Sequence, residues 1–319
     1  MRSERLNIPG IALGTWAWGD SGEAGDGYFG SALTRAGLEE LVDKAHAAGL
    51  TLWDTAAVYG MGRAETVLGE ILKRYDRSEY QLSTKFTPQA AGTDKDPVAD
   101  MIEQSLARLG TDHVDLYWVH NPADVERWTP RMIPLLESGK VRHVGVSNHN
   151  LREIERADRI LGEAGFRVAA VQNHYSLVYR GAEDAGILAY CRDRNIPFFA
   201  YMVLEQGALS GLYSPANPLP EGSERAKVYN GVLPRLQALT DKLATIGKLH
   251  GAAAADVATA WAIAKGSTPI IGVTRPRYVD SLVRARTMAL SDAEIVDLEE
   301  LADAMSVDTR GWWEQAMRA

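Results

Sequence analysis

The chain has little cysteine, no excess of positive charge and no long apolar run. Its 319 residues include one cysteine, Cys191, which excludes an intrachain disulfide and favours a reducing compartment. Acidic residues outnumber basic ones by 42 to 34, and the net charge of −8 argues against a general nucleic-acid-binding surface. No apolar stretch is long enough to span a membrane, and the first ten residues lack the apolar core of a signal peptide. We therefore expect a cytoplasmic protein that binds neither nucleic acid nor membrane.

Eight short apolar runs, separated by helix-like stretches, form the main pattern along the chain. The runs cover residues 11–16, 51–54, 81–85, 114–120, 143–147, 169–175, 197–201 and 269–273. Strands that alternate with helices predict parallel β-α-β units. Eight such units predict an α/β fold in the form of a closed (β/α)8 TIM barrel, with its active site at the C-terminal ends of the strands.

The length and the absence of a linker predict a single domain over residues 1–319. A single barrel commonly takes about 250 residues, so this chain suits one barrel with insertions. The C-terminal tail, residues 306–319, carries Trp312 and Trp313. Because exposed tryptophans on a tail would be costly, we expect the tail to pack on the barrel. Nothing in the composition favours a particular oligomeric state.

Several helix boundaries are marked by capping residues. Asp96 followed by Pro97 predicts a helix start, and Gly110 predicts its end. Asn150 with Glu153, and Ser291 with Glu294, have the spacing of a capping box. One further helix is expected over 183–195, and 205–231 is the longest irregular stretch. A loop of that length usually covers or forms a binding site.

A glycine pattern, Gly25-x-Gly27-x-x-Gly30, resembles a dinucleotide-binding fingerprint. In a true fingerprint the first glycine follows its strand directly and the helix begins at the loop. Here the polar stretch 19–24 intervenes, and the helical pattern starts several residues after Gly30. We therefore interpret these glycines as part of a loop.

Four residues with complementary acid–base chemistry follow three of the predicted strands. They are Asp54, Tyr59, Lys85 and His120. A free tyrosine titrates near pH 10, too high for an efficient acid at neutral pH, and an adjacent ammonium lowers that value. An aspartate beside the lysine keeps it charged, and a histidine can hydrogen-bond a carbonyl oxygen.

Each of these residues also has a simpler interpretation. Asp54 alone could cap a loop, His120 alone could be a buried histidine with satisfied hydrogen bonds, and Lys85 or Tyr59 alone could lie on the surface. The four together, at one end of one barrel, are a much stronger indication of a catalytic site.

The segments that carry these residues resemble signature segments of the aldo-keto reductases. They are WDTAAVYGMGRAETVLGE, LSTKF, DLYWVHNP and VGVSNH, and they keep the family's order over nearly the whole chain. The resemblance implies a TIM barrel that binds NADPH, with NADH as a possible alternative, without a Rossmann domain. It implies that Tyr59 is the acid and base, that Asp54 and Lys85 tune it, and that His120 orients a carbonyl substrate. No metal ion is expected.

The same resemblance implies residues for the nicotinamide end of the cofactor. Ser147, Asn148 and Gln172 are expected to hold the carboxamide near Asp54, although strand-end capping would also explain them. Tyr201 is expected to stack on the ring, although core packing is common for aromatic residues. At the end of the first predicted strand, Gly14, Thr15 and Trp16 also match the family's segment.

Two further segments are implied to hold the cofactor's phosphates. The run YMVLEQGALSGLY resembles the family's pyrophosphate-covering loop, with matching positions at Met202, Leu204, Gly207 and Leu209. The run IIGVTRPRYV resembles the adenosine-phosphate segment, which here contains Gly272, Val273, Thr274, Arg275, Arg277 and Tyr278. Many members have Gln or Arg where this chain has Tyr278, and Asn where it has Leu282, so the adenosine end departs from the family pattern.

Two other function classes remain open from the residues alone. The chain could be a nicotinamide-binding regulatory subunit, although the complete set of four acid–base residues favours an enzyme. It could also be a barrel glycosidase with Asp54 and Glu205 as a carboxylate pair, which leaves Tyr59 and Lys85 unexplained. A small-molecule substrate is expected to meet the loops 121–128 and 205–231 and the C-terminal tail. Four tryptophans could form a substrate wall or belong to the core: Trp16, Trp118, Trp128 and Trp312.

Overall fold

Eight parallel strands close into a barrel in sequence order, which confirms the TIM-barrel prediction. The structure, a computed structural model, describes residues 6, 8–19, 26–30, 33–93, 95–311 and 314–317. The strands are β1 (Ala12–Gly14), β2 (Leu52–Asp54), β3 (Gln81–Phe86), β4 (Val114–Val119), β5 (Val141–Ser147), β6 (Ala170–His174), β7 (Phe198–Tyr201) and β8 (Thr268–Gly272). Each overlaps one of the eight predicted apolar runs.

Helices and short turns connect the strands and surround the barrel. The helices are α1 (Asp26–Phe29), α2 (Arg35–Ala47), α3 (Arg63–Leu72), α4 (Pro97–Leu109), α5 (Val125–Trp128), α6 (Ile133–Ser138), α7 (Leu151–Glu163), α8 (Gly181–Asp184), α9 (Ile187–Asp193), α10 (Glu224–Tyr229), α11 (Leu233–Leu249), α12 (Ala254–Ala264), α13 (Arg277–Thr287) and α14 (Asp292–Asp303). Short 3₁₀ turns cover Trp16–Trp18, Tyr59–Gly62, Arg77–Glu79, Pro88–Ala90, Thr129–Met132 and Glu205–Gly207.

The predicted capping residues do begin and end helices. The Asp96 side chain accepts a hydrogen bond from the Ala99 N–H, and Gly110 ends α4 in a left-handed conformation with φ 67°. Complete capping boxes open α7 at Asn150 and α14 at Ser291. These ends were predictable because each depends on residues within one turn of the helix.

Three local predictions differ from the structure. The helix expected over 183–195 is two helices, α8 and α9, because Gly186 interrupts it with φ 78°. The stretch 205–231 is not wholly irregular, since it contains a 3₁₀ turn and α10. The interpretation of Gly25 to Gly30 as a loop is also wrong in part, since α1 occupies Asp26–Phe29, while Gly25 and the polar stretch 20–24 lie outside the described residues.

Alternate residues of the strands fill the barrel interior. The interior cluster consists of Ala12, Leu52, Leu116, Trp118, Ala170 and Phe199. Gly145 on β5 makes room for the large indole, because a Cβ there would stand 2.4 Å from Trp118 ring atoms. The larger hydrophobic cluster lies between the sheet and the helices, where Trp128 packs against Phe86 with ring centroids 5.0 Å apart.

The single cysteine lies in this outer layer. Cys191 on α9 is 1% exposed, and burial raises the pKa of its thiol to about 12, so it is unreactive at neutral pH. Within the described part of the chain, no helix is long and apolar enough to cross a membrane. The cytoplasmic location stays a prediction.

Strand register aligns the polar strand ends at one mouth of the barrel. Asp54 on β2 pairs with Gly14 on β1 and with Ser83 on β3. Farther around the barrel, Ser147 pairs with Gln172 on β6. The predicted site residues therefore share one end of the barrel, although they are spread widely along the sequence.

Candidate active site

A buried ion pair between Asp54 and Lys85 lies at the centre of the barrel mouth. Lys85 has no exposed surface, and its Nζ donates to an Asp54 carboxylate oxygen and, at 2.7 Å, to the carbonyl oxygen of Thr55. The other Asp54 oxygen accepts from Ser83 Oγ at 2.9 Å and from Gln172 Nε2 at 3.3 Å. Both charges are therefore paired and hydrogen-bonded, which a buried ion pair requires.

A tight turn after β2 places Tyr59 above this pair. Gly60, Met61 and Gly62 all have positive φ, at 56°, 53° and 89°. Close approach also favours glycine at residue 60, since a Cβ there would stand 3.1 Å from the Gly19 Cα. The turn brings the Tyr59 ring to the lysine, with Lys85 Nζ 4.7 Å from the ring centroid.

The titration of Tyr59 is set by opposing effects. Burial raises the pKa of the phenol, the Lys85 ammonium lowers it, and the Asp54 carboxylate raises it. The net shift is upward, opposite to the lowered pKa expected from the lysine alone, because burial outweighs the ammonium. Burial acts to lower the pKa of Lys85, but Asp54 and Tyr59 raise it more, so the lysine is charged at neutral pH.

His120 lies beside Tyr59 and is held by Thr87. The two ring centroids of His120 and Tyr59 are 6.2 Å apart and nearly perpendicular, and His120 Nδ1 is 2.8 Å from Thr87 Oγ1. Burial, and secondarily the nearby Lys85 charge, hold the pKa of His120 well below its usual range. The imidazole is therefore neutral at physiological pH.

Asn148 connects three strand ends through its side-chain amide. It adopts φ 62°, a left-handed conformation that asparagine tolerates better than most residues. Its Nδ2 donates to the His120 carbonyl oxygen at 2.9 Å and to Ser147 Oγ at 3.2 Å, and its Oδ1 accepts from Tyr201 OH at 2.5 Å. These contacts fix the ends of β4, β5 and β7 relative to one another.

The segment after β7, residues 202–209, forms a compact turn that we call the covering segment. Met202, Glu205 and Gln206 have positive φ although none is glycine, and Gly207 has φ 104°. Leu209 is fully buried and Leu204 is partly buried, so both leucine side chains pack into the hydrophobic core.

Arg225 on α10 supports the covering segment. Its guanidinium donates to the Gln206 carbonyl oxygen at 3.0 Å and to Tyr213 OH at 3.2 Å. Its Nε is buried without a hydrogen-bond partner among the described residues. Such a donor beside the covering segment suits an anionic ligand.

Glu205 does not face Asp54 as the glycosidase interpretation requires. Its side chain is fully buried, and its carboxylate accepts from Tyr229 OH at 2.7 Å, from Ser176 Oγ and from His174 Nε2 at 2.9 Å. Asp54 is committed to Lys85. These contacts argue against a pair of catalytic carboxylates.

The predicted adenosine-phosphate residues run from the end of β8 to the first turn of α13. A cavity of about 230 Å³ is lined by Thr34, Gly37, Leu38, Thr274, Arg275 and Pro276. No side chain caps the first N–H groups of α13, which leaves donors and the positive end of the helix dipole for an anion. Arg277 is exposed, with its guanidinium 5.4 Å from the Tyr278 ring centroid, whereas Leu282 is buried in the core and offers nothing to a ligand.

The residues at the end of β1 lie between the candidate cofactor segment after β8 and the residues around Tyr59. The Val273 N–H donates to the Gly14 carbonyl oxygen, and the Thr15 N–H donates to that of Asp54. The Trp16 ring lies nearly parallel to Tyr59, with centroids 5.8 Å apart. Trp16 is therefore at the mouth, whereas Trp118 and Trp128 belong to the core, and Trp312 and Trp313 lie outside the described residues.

Sequence reasoning missed several residues that support the site. Ser83 and Thr87 each lie two residues from Lys85, and His174 lies two residues from Gln172. Because side chains along a strand alternate between its two faces, each of the three shares the inward face with its predicted neighbour. Glu314 and Gln315 in the C-terminal tail also reach the barrel mouth. Gln315 Nε2 donates to the Asn148 carbonyl oxygen at 3.1 Å. No local pattern indicates where such an irregular segment docks.

Comparisons with known proteins agree with this geometry. The family model for the aldo/keto reductase family matches residues 10–303. An aldo-keto reductase of Strobilurus tenacellus is 31% identical over 88% of this chain and 85% of its own length. An aldo-keto reductase of Schizosaccharomyces pombe whose name specifies NADP(+) is 31% identical over 82% of both chains. A crystal structure of an aldo-keto reductase from Klebsiella pneumoniae in complex with NADPH superimposes with a TM-score of 0.71 and 28% identity, over 92% of this chain and 91% of that one.

The chain belongs to the aldo-keto reductase family. It is accordingly an NAD(P)H-dependent oxidoreductase that acts on small-molecule carbonyl compounds.

Proposed function

We propose that the protein reduces an aldehyde or ketone to an alcohol reversibly, with NADPH as cofactor and Tyr59 as proton donor. The observation that carries the proposal is the buried Asp54–Lys85 pair directly beneath the Tyr59 ring, with a neutral His120 at its side. This arrangement supplies an acid, a charge that stabilises its conjugate base and a neutral polar group for the substrate oxygen.

The residues divide the proton chemistry between them. A bound nicotinamide cofactor supplies the hydride that the carbonyl carbon accepts. Tyr59 donates its phenolic proton to the carbonyl oxygen, and Lys85 stabilises the phenolate that remains. Asp54 keeps Lys85 charged. His120 accepts from Thr87 at Nδ1 in this proposal, which leaves its Nε2–H to donate to the carbonyl oxygen.

Residues around the mouth suit a phosphorylated dinucleotide. Ser147, Asn148 and Gln172 present amide and hydroxyl groups beside the acid, where they would hold the carboxamide, and Tyr201 presents a ring. The backbone of the covering segment and Arg225 suit a pyrophosphate. Arg275 borders the cavity before α13 and suits a 2′-phosphate, which favours NADPH over NADH.

Fluorescence titration with NADPH and NADH tests the cofactor assignment. Arg275→Ala should weaken NADPH binding about tenfold or more and change NADH binding little, because a charge-assisted hydrogen bond to phosphate contributes about 1.5–3 kcal/mol. Replacement of Gly25 and Gly27 by alanine is the matched control and should leave both affinities near wild type. Equal weakening of the two cofactors by Arg275→Ala would contradict the 2′-phosphate assignment.

Aromatic residues on one side of Tyr59 favour a planar or apolar substrate. The Trp16 ring centroid is 4.9 Å from that of Tyr28 and 5.1 Å from that of Phe29. Such a wall stacks favourably on aromatic carbonyl compounds. In a carbonyl panel, aromatic aldehydes should therefore give higher kcat/KM than short aliphatic aldehydes, and the reverse order would contradict the substrate class.

A further inference from the structure

A histidine at the end of β6 bridges two carboxylates from separate parts of the chain. His174 Nε2 is 2.9 Å from Glu205 Oε1 in the covering segment. Its Nδ1 is 2.9 Å from Glu314 Oε2 in the C-terminal tail. The side chains of the histidine and both glutamates are at most 1% exposed. The proposed proton chemistry uses none of the three.

The Glu205 carboxylate holds the covering segment in an unfavourable backbone conformation. Glu205 and Gln206 have φ of 47° and 52°, a left-handed region that is unfavourable for residues other than glycine. Besides His174, the carboxylate accepts hydrogen bonds from Ser176, Tyr229 and, at 3.2 Å, Thr309. These contacts stabilise the conformation from β6, from α10 and from the tail.

The tail end of the bridge is equally well anchored. Glu314 Oε1 accepts from the Gly311 N–H at 3.0 Å, and Gln315 donates to the Asn148 carbonyl oxygen at 3.1 Å. Met317 is 3% exposed and accepts from Asn173 Nδ2 at 3.3 Å. The tail is thus held against β5 and β6 beside residues expected to bind the cofactor.

The charge of His174 determines the strength of the bridge. Burial acts to lower its pKa, but Glu205 and Glu314 raise it to about 9, so both ring nitrogens donate at neutral pH. Two other ionisable side chains have rings close to that of His174, Tyr179 with its centroid 4.3 Å away and Tyr201 with its centroid 5.6 Å away. The remaining ionisable groups around it are Tyr229, which donates a hydrogen bond to Glu205, and the exposed Asp308–Arg310 pair.

We propose that His174 is a positioning residue that couples the C-terminal tail to the covering segment through Glu314 and Glu205, so that tail docking slows cofactor release. The proposal rests on the proposed NADPH binding. It assigns to Glu314 an effect on cofactor kinetics although Glu314 lies outside every segment expected to touch the cofactor.

Hydrogen–deuterium exchange of the protein without added cofactor tests the coupling itself. Glu314→Gln removes the negative charge of the Glu314 carboxylate and leaves the His174–Glu205 ion pair with balanced charge, so the chain should still fold. Faster exchange is expected in the tail and also in residues 202–209. Asp303→Asn, which removes an exposed carboxylate paired with Arg180, is the control and should change neither segment. Faster exchange confined to the tail, or none, would overturn the proposal.

Stopped-flow release of NADPH tests the consequence for binding. Glu314→Gln should release NADPH about 5- to 150-fold faster, the range of a typical coupling free energy. In the wild type, release should accelerate as pH rises through about 9. In His174→Gln, NADPH release should be fast and nearly independent of pH over that range. Release at the wild-type rate from both Glu314→Gln and His174→Gln would overturn the proposal. Failure of the wild type to bind NADPH would instead contradict the proposed function, and the exchange experiment would still decide the coupling.

Discussion

The Lys85 ammonium lies 4.7 Å from the centroid of the Tyr59 ring while its Nζ donates a hydrogen bond to the Asp54 carboxylate. This relationship gives a partly buried phenol a positive neighbour that hydrogen bonds to Asp54 and Thr55 hold in place. The ammonium lowers the pKa of Tyr59 against burial and against Asp54, which both raise it. The proton affinity of Tyr59 therefore depends on Lys85 more than on any other nearby charge.

Lys85→Met should change the pH dependence of catalysis in both directions. Removal of the ammonium, with Asp54 left unpaired, raises the pKa of Tyr59 further and disfavours the phenolate. Alcohol oxidation needs the phenolate, so it should be nearly lost at neutral pH and recover partly in alkali. Carbonyl reduction should also fall, because a weaker acid transfers its proton less readily.

The measurement is a pH–rate profile of both reactions. Lys140→Met is the matched control, since Lys140 pairs with Glu103 on the surface. A profile for Lys85→Met that overlays the wild type would mean that the lysine plays no part in tuning Tyr59.

His120 should act as a neutral group over the physiological pH range. Its pKa lies well below the usual value, so acidification from about pH 8 to about pH 6 does not charge it. His120→Gln should lower kcat/KM by a factor that stays constant across that range. A wild-type to variant ratio that falls on acidification between those limits would show that the histidine titrates there.

Gly145 should be essential for packing of the barrel interior. A Cβ at this position would stand 2.4 Å from the Trp118 ring and 3.0 Å from the Ala170 carbonyl oxygen. Gly145→Ala should therefore destabilise the fold by about 1–3 kcal/mol or more. Gly162→Ala in α7 is the control, because nothing lies within 4 Å of its Cβ position. That change should be neutral or stabilising by up to about 1 kcal/mol. Equal urea midpoints for the two variants would contradict the packing argument.

Much of the fold was predictable because its determinants are local. Apolar runs of strand length and capping residues such as Asn150 and Ser291 act within a few positions along the chain. The convergence of Asp54 and Lys85 followed from barrel geometry, since parallel strands end at one face. The break at Gly186 was missed because an isolated glycine is compatible with a helix until the conformation at that residue is known.

Other parts of the site depend on long-range contacts. The contact between His174 and Glu314 joins residues 140 positions apart, and the carboxylate comes from an irregular tail. Burial of Tyr59 likewise arises from neighbours on several elements. The sequence therefore predicted that Lys85 lowers the pKa of Tyr59, but it did not predict that burial makes the net shift upward.

In the proposed mechanism, Tyr59 donates the proton while other residues hold the cofactor. Its most direct test is Tyr59→Phe, assayed for carbonyl reduction and titrated with NADPH on the same purified sample. The phenyl ring keeps the packing against Trp16 and removes only the hydroxyl. Reduction should fall by about 10²–10⁴-fold with NADPH affinity close to wild type. Turnover at the wild-type rate would contradict the assignment of Tyr59 as the proton donor.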